Sequence, residues 1–269
     1  MQTIGQEKTE VEIKRILDIF TTSECNIRPH FILTGPSGSG KTLMISTLAK
    51  IMEMNFIEIN AAQMTKEGTS GNSLSKALAP LANTQNKPTI CFVDEFDKLF
   101  ISGNSNSDLA HESTNGVQNE FLKVLEGNEA SVFGDYGKYR TIPIDNVLFI
   151  FAGAFNNEED ITLDRLRGFG VKTEFLGRVG LIYNLNQLSL ENLYDILEES
   201  ILLQMYLQLF PDADKEKCIY DLKAHLAKVY ENNTLGARII NTMLNQYFIT
   251  GGLIDEQIEK ITFQRKLTF

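Results

Sequence analysis

Apolar residues at Val11, Ile13, Ile16, Leu17 and Phe20 recur at three- and four-residue intervals, a spacing that predicts a helix over Glu7–Phe20. Thr21–Arg28 is polar and reads as a linker. An unbroken apolar run, Phe31–Leu33, predicts a buried strand, and helical character returns over Leu43–Met52. Asn55–Ile59 reads as a second strand and Ser73–Ala82 as a helix, with a loop over Ala61–Asn72 between them. Another apolar strand starts at Thr89 and ends in Asp94-Glu95. Ile101–Asn115, rich in Ser, Asn and Gly, is expected to be a loop, with a helix resuming over Gly116–Leu125. Ser131–Ile144 has the signature of a hairpin that turns near Gly134-Asp135 and Gly137. Val147–Phe151 and Leu181–Leu185 complete the set of buried strands.

Continuously apolar strands alternating with helices specify an α/β fold: a parallel sheet with helices on both faces. The pattern changes after residue 187. Helical periodicity runs through Glu191–Leu209, Lys215–Tyr230 and Ala237–Phe248, and Glu259–Phe269 could add one short strand. The expected organisation is a large α/β domain over 1–186 and a small, mainly helical lid domain over 187–269.

Composition narrows the class. The chain has 269 residues, 43% of them apolar and 22% charged, which fits an ordinary globular protein able to bury a core. The net charge of −10 argues against a protein held on nucleic acid by a broad basic surface. Cys25, Cys91 and Cys218 are odd in number and widely spaced, which predicts neither a disulfide framework nor a zinc site and fits a cytoplasmic setting. His30, His111 and His225 are isolated. No apolar run approaches the roughly 20 residues needed to span a bilayer, so no membrane is expected, and the first residues do not read as a signal peptide.

Two stretches carry chemistry. Gly35-Pro36-Ser37-Gly38-Ser39-Gly40-Lys41-Thr42 matches G-x-x-x-x-G-K-[ST], and it sits between a predicted strand and a predicted helix, as a phosphate-binding loop must. Glycines let backbone N–H groups turn inward on phosphate oxygens, and the following helix adds its positive end. Lys41 would reach the β- and γ-phosphates, and the Thr42 hydroxyl would bind Mg²⁺. Pro36, Ser37, Gly38, Ser39, Gly40 and Leu43 are the remaining nucleotide-contact candidates of this stretch. Asp94-Glu95, ending an apolar strand, fits the second element of such sites: Asp94 supports the metal and Glu95 polarises the attacking water as general base. ATP and Mg²⁺ are the implied ligands.

Further residues extend this to a family. Ile4-Gly5-Gln6, Asp94-Glu-Phe-Asp-Lys98, Gly116-Val-Gln118, Leu125-Glu-Gly127, Ile150-Phe-Ala-Gly-Ala-Phe155, Glu174-Phe-Leu-Gly-Arg178 and Gly236-Ala-Arg238 occur in order. Over nearly its whole length the chain resembles the AAA+ protein unfoldases of the ClpX and HslU kind. The resemblance implies that Ile4 and Gly5 frame the adenine and that Arg178 is an arginine finger reaching a neighbouring subunit's ATP. It also implies that Arg238 contacts its own subunit's nucleotide, and that copies of the chain form a hexameric ring around a pore.

Departures from the family pattern shape the functional expectation. The pore-loop candidates are Thr69 and Ser70 in Gly68-Thr-Ser-Gly71, where the family carries an aromatic. Tyr136 and Tyr139 in the hairpin are possible substitutes, although hairpin tyrosines more often pack locally. Only Asn156–Thr162 stands where relatives that dock the ClpP peptidase carry a long insertion, so ClpP partnership is not expected. No zinc-binding segment precedes Ile4, so a compact form is expected. The polar residue usual near Ala154 in the wider AAA+ superfamily is missing, an apolar version that ClpX-like proteins share, with Asn156 and Asn157 nearby. The leading reading is a ring ATPase that remodels or unfolds protein substrates without a peptidase, with an adaptor as a candidate partner in their delivery. The alternatives are a nucleic-acid motor or loader, less favoured because of the net charge, and a nucleotide-switched assembly factor.

Overall fold

The computed structural model describes residues 3–64, 72–84, 87–100, 108–134 and 138–252, with residues 108–115 as backbone only. Seven strands are described: β1 (Phe31–Thr34), β2 (Asn55–Asn60), β3 (Thr89–Asp94), β4 (Glu129–Phe133), β5 (Tyr139–Pro143), β6 (Val147–Gly153) and β7 (Leu181–Asn184). Five of them form one sheet in the order β2-β3-β6-β1-β7, with every neighbouring pair parallel. β4 and β5 make a separate antiparallel hairpin, as the pattern predicts.

The continuous apolar runs follow from burial on both faces of the sheet. Side chains alternate across a strand. Leu33, Ile90, Phe92, Leu148 and Ile150 therefore face one core with Ile13, Leu17 and Phe20 of α1 (Glu7–Thr22) and Met44, Ile45 and Leu48 of α2 (Lys41–Ile51). Their neighbours Ile32, Cys91, Val93, Phe149 and Phe151 face the other core, with Val117, Phe121 and Phe175.

Four expectations are corrected. Ser73–Ala82 is not one helix: α3 (Leu74–Ala77) ends at Leu78, and a 3₁₀ turn containing Pro80 follows over Ala79–Asn83. The loop expected up to Asn115 is helical from Asp108, because α4 spans Asp108–Glu126 and carries Gly116 in its interior. Two short helices, α5 (Leu163–Phe169) and α6 (Thr173–Arg178), stand where the periodicity predicts no element. Glu191–Leu209 divides into α7 (Leu190–Glu198) and α8 (Ile201–Leu209), because the Ser200 side chain caps α8 by accepting the Leu203 N–H. The strand expected over Glu259–Phe269 lies outside the described residues.

The chain divides into two compact units, Met1–Pro36 with Gly40–Asn186 and Ser37–Ser39 with Gln187–Phe269. The second contains α7, α8, α9 (Lys215–Val229) and α10 (Arg238–Ile249) around Leu193, Leu197, Leu222, Leu226 and Leu244. No described helix is long and apolar enough to cross a membrane.

Candidate nucleotide site

Ligands of parallel sheets bind beyond the C-terminal ends of the strands, and the predicted residues gather there. β1 ends at Thr34, and the phosphate-loop residues lead directly into α2 at Lys41. Gly38 and Gly40 have φ of 72° and 96°, the left-handed region that a side chain would strain. Gly40 is also approached closely: a Cβ there would stand 3.2 Å from the Thr3 methyl group. The segment carrying Ile4 and Gly5 is thereby brought beside the loop. Gly5 and Gln6 line a cavity of about 370 Å³ together with Tyr183 and Asn184 of β7.

Lys41 Nζ donates to the carbonyls of Gly35 at 2.7 Å and Pro36 at 2.9 Å. These are local contacts that incoming phosphate oxygens could replace. The Ser39 hydroxyl is buried without a hydrogen-bond partner in the loop. Such an orphaned polar atom fits a loop built for a polar ligand. Leu43, on the first turn of α2, is exposed.

The metal candidates meet as well. Thr42 Oγ1 lies 3.5 Å from Asp94 Oδ2, although 52 residues separate them in sequence. A hydroxyl and a carboxylate at this spacing fit a hard cation that keeps most of its waters, as Mg²⁺ does. Asp94 also influences Glu58 on β2, whose carboxyl is pushed up by partial burial and then by the Asp94 charge.

Glu95 follows with φ of 54° and ψ of 31°, a left-handed conformation unusual for a glutamate. Its N–H donates to Asp94 Oδ1 at 2.8 Å, and its Oε2 accepts from Asn60 Nδ2 at 2.9 Å. Backbone strain of this kind, about 1–3 kcal/mol, is characteristic of functional positions. Asn60 is a residue that the motifs do not reveal. It ends β2 in register with Asp94 on β3, and only knowledge of strand order would bring the two together.

The arginines lie elsewhere. Arg178 ends α6, half-exposed, and donates from Nη2 to Glu126 Oε1 of α4 at 2.9 Å. Arg238 opens α10 in the second unit, where Nη1 donates to Ser37 Oγ at 3.3 Å. After Ala154, three consecutive residues, Phe155, Asn156 and Asn157, have positive φ and form a tight left-handed turn. The pore-loop candidates Thr69 and Ser70, and Tyr136, lie outside the described residues. Tyr139 on β5 is exposed, with its ring set edge-on against Phe133.

Residues 31–175 match the family model described as "ATPase family associated with various cellular activities (AAA)". The chain belongs to the AAA family. Within it the chain is ClpX-like. It is 30% identical over 256 residues to the ATP-dependent Clp protease ATP-binding subunit ClpX 2 of Wolinella succinogenes, covering 81% of this chain. It spans 64% of that relative's length. It is 27% identical to the ClpX subunit of Bacteroides fragilis over 318 residues, covering 95% of this chain and 76% of the relative. The ClpX subunit of Bacteroides thetaiotaomicron is similar at 27% over 314 residues. The AAA match begins at β1 and ends within α6, so the gathered residues Lys41, Thr42, Asp94 and Glu95 all lie inside it.

Proposed function

We propose that the protein is an ATP-hydrolysing ring motor that remodels or unfolds protein substrates without a partner peptidase. The observation that carries this reading is the meeting of Lys41, Thr42, Asp94 and Glu95 at the C-terminal ends of β1 and β3. The phosphate loop and Lys41 hold the phosphates. Thr42 and Asp94 would hold Mg²⁺, which would supply charge neutralisation at the phosphates. Glu95, oriented by the Asn60 amide, accepts a proton from the attacking water. Arg238 is the same-subunit arginine, and Ile4 and Gly5 stand at the base.

Arg178 serves the neighbouring subunit's ATP, stabilising charge that develops in the transition state. Its present partner Glu126 is half-exposed, and a pair of this kind is weak, about 0–1 kcal/mol, so it exchanges easily for a phosphate. A finger supplied in trans needs head-to-tail contacts between copies, and such contacts close into rings, here taken as hexamers. Independence from ClpP is supported by the short connection after β6. Asn157 is followed within five residues by Thr162, the cap of α5. The alignment to the Bacteroides fragilis relative, at 318 residues, is longer than this 269-residue chain, so that relative carries inserted residues within the aligned span. A cytoplasmic setting fits the three free cysteines.

Replacing Glu95 with Gln removes the base while leaving the loop intact. The expected result is unchanged ATP binding with turnover reduced by about 10²–10⁴. Turnover within a few-fold of wild type would sink the assignment. With ATP bound, the same variant should retain a protein substrate in pull-downs. Retention of single-stranded nucleic acid instead would favour the loader reading.

A further inference from the structure

The geometry points to Gln118 as the positioning residue of Arg178, through backbone bonds that set where α6 starts. This rests on the reading of Arg178 as a finger acting on a neighbour. α6 has six residues, far fewer than a helix needs to hold its own direction in water. Its capping residue, Lys172, supplies no side-chain cap. The direction of Arg178 is therefore decided by whatever grips the helix.

Gln118 grips its start. The residue is fully buried on α4, flanked in that core by Val117 and Phe121. Its Nε2 donates to the Gly170 carbonyl at 3.2 Å, and its Oε1 accepts the Lys172 N–H at 3.0 Å. Both ends of one amide thus hold the two residues flanking Val171, immediately before α6. A buried amide is costly unless bonded, and an apolar side chain of equal size would fill the space as well. The polar group is explained by the two bonds it makes. Lys172 is tied again by its ammonium, which donates to Asn119 Oδ1 at 2.7 Å.

The middle of the helix is held by Phe175. Its ring stacks on Phe96 at 5.2 Å and stands edge-on to Phe151 at 4.9 Å. Phe96 directly follows Glu95, so the helix bearing the finger packs against the residue next to the candidate base. Leu176 and Val179 bury the end of the helix in the same core, and the Arg178 side chain itself is held there by the exchangeable pair with Glu126. Loss of the Gln118 bonds would let the start of α6 shift while the aromatic contact persists. A misplacement near 1 Å at a reacting group costs about 100-fold in rate.

The test uses Gln118→Met, which keeps volume and removes both bonds. We expect kcat for ATP to fall about 10- to 100-fold with KM unchanged, and no additional fall when Gln118→Met is combined with Arg178→Ala. The variant is then mixed with Glu95→Gln subunits, whose fingers are intact. Sites formed by the loop of a Gln118→Met subunit and the finger of a Glu95→Gln subunit are complete, so activity should partly return. Arg178→Ala mixed with Glu95→Gln is the reference. If the reference mixture recovers and the Gln118→Met mixture does not, Gln118 acts within its own site and the inference is overturned, while the finger reading stands. If neither recovers in mixed rings shown to form, the finger reading fails and takes the inference with it. Should Gln118→Met not assemble, Gln118→Glu serves: its carboxylate accepts from Lys172 but cannot donate to Gly170, and the same outcomes decide.

Discussion

His30 shows how much a single side chain can contribute outside the nucleotide site. It immediately precedes β1, and its Nδ1 accepts the Phe149 N–H at 3.0 Å, so that nitrogen must be unprotonated. Its ring also stands edge-on to Phe149. Burial, followed by the nearby Arg28 charge, pushes its pKa down to about 4. In the unfolded chain a histidine titrates near 6.5. Between those values the unfolded state binds more protons than the folded one. This contribution to stability is therefore complete above pH 6.5 and is lost as the pH falls through 4, an effect on the order of 3 kcal/mol. Urea titrations at pH 7 and pH 4.5 should show a midpoint drop that is smaller in His30→Gln. An equal drop in the variant would assign the acid sensitivity to other groups. Glu95 and Asn60 belong to the same scale. The acidic pair was legible as sequence, because strand-ending carboxylates downstream of a phosphate loop are a linear pattern. The Asn60 bond was not, because it depends on β2 lying beside β3.

At the scale of elements, the end of β6 is under close steric control. Gly153 is in register with Thr34 of β1, and a Cβ there would stand 2.8 Å from Phe155 Cε2 and 2.9 Å from Asp97 Oδ1. Both neighbours are buried, so neither has room to withdraw. Gly153→Ala should destabilise the protein by about 1–3 kcal/mol, read as a lower urea midpoint. An unchanged midpoint would show that the turn after β6 can relax. That turn, with three consecutive left-handed residues, carries a backbone cost that its packing must offset: the Phe155 ring lies against Phe169 of α5 at 5.4 Å. Long elements were legible because their periodicity repeats several times. α5 and α6 were not, since seven and six residues give too few repeats of a 3.6-residue period to register. The first two turns of α4 carry the Ser, Asn and Gly composition of a loop, whereas tertiary context sets the actual helix start.

For the whole molecule, the proposed trans finger makes activity a property of the assembly. ATPase rate per subunit should rise with protein concentration across the range in which light scattering shows rings forming. A constant rate across that range would mean that each subunit is complete by itself. The sequence alone determined the α/β class, the parallel sheet and the identities of Lys41, Thr42, Asp94 and Glu95. Each of these is written in local order: apolar runs of strand length, a glycine-rich loop between strand and helix, carboxylates at a strand end. Tertiary structure decided what those residues touch. The strand order β2-β3-β6-β1-β7 sets Thr42 within 3.5 Å of Asp94 and Asn60 against Glu95. The fold likewise places Gln118 across the start of α6. No linear pattern contains these relations, because contacts between distant segments are selected by how two buried faces of one sheet are covered, and that is settled only when the chain packs.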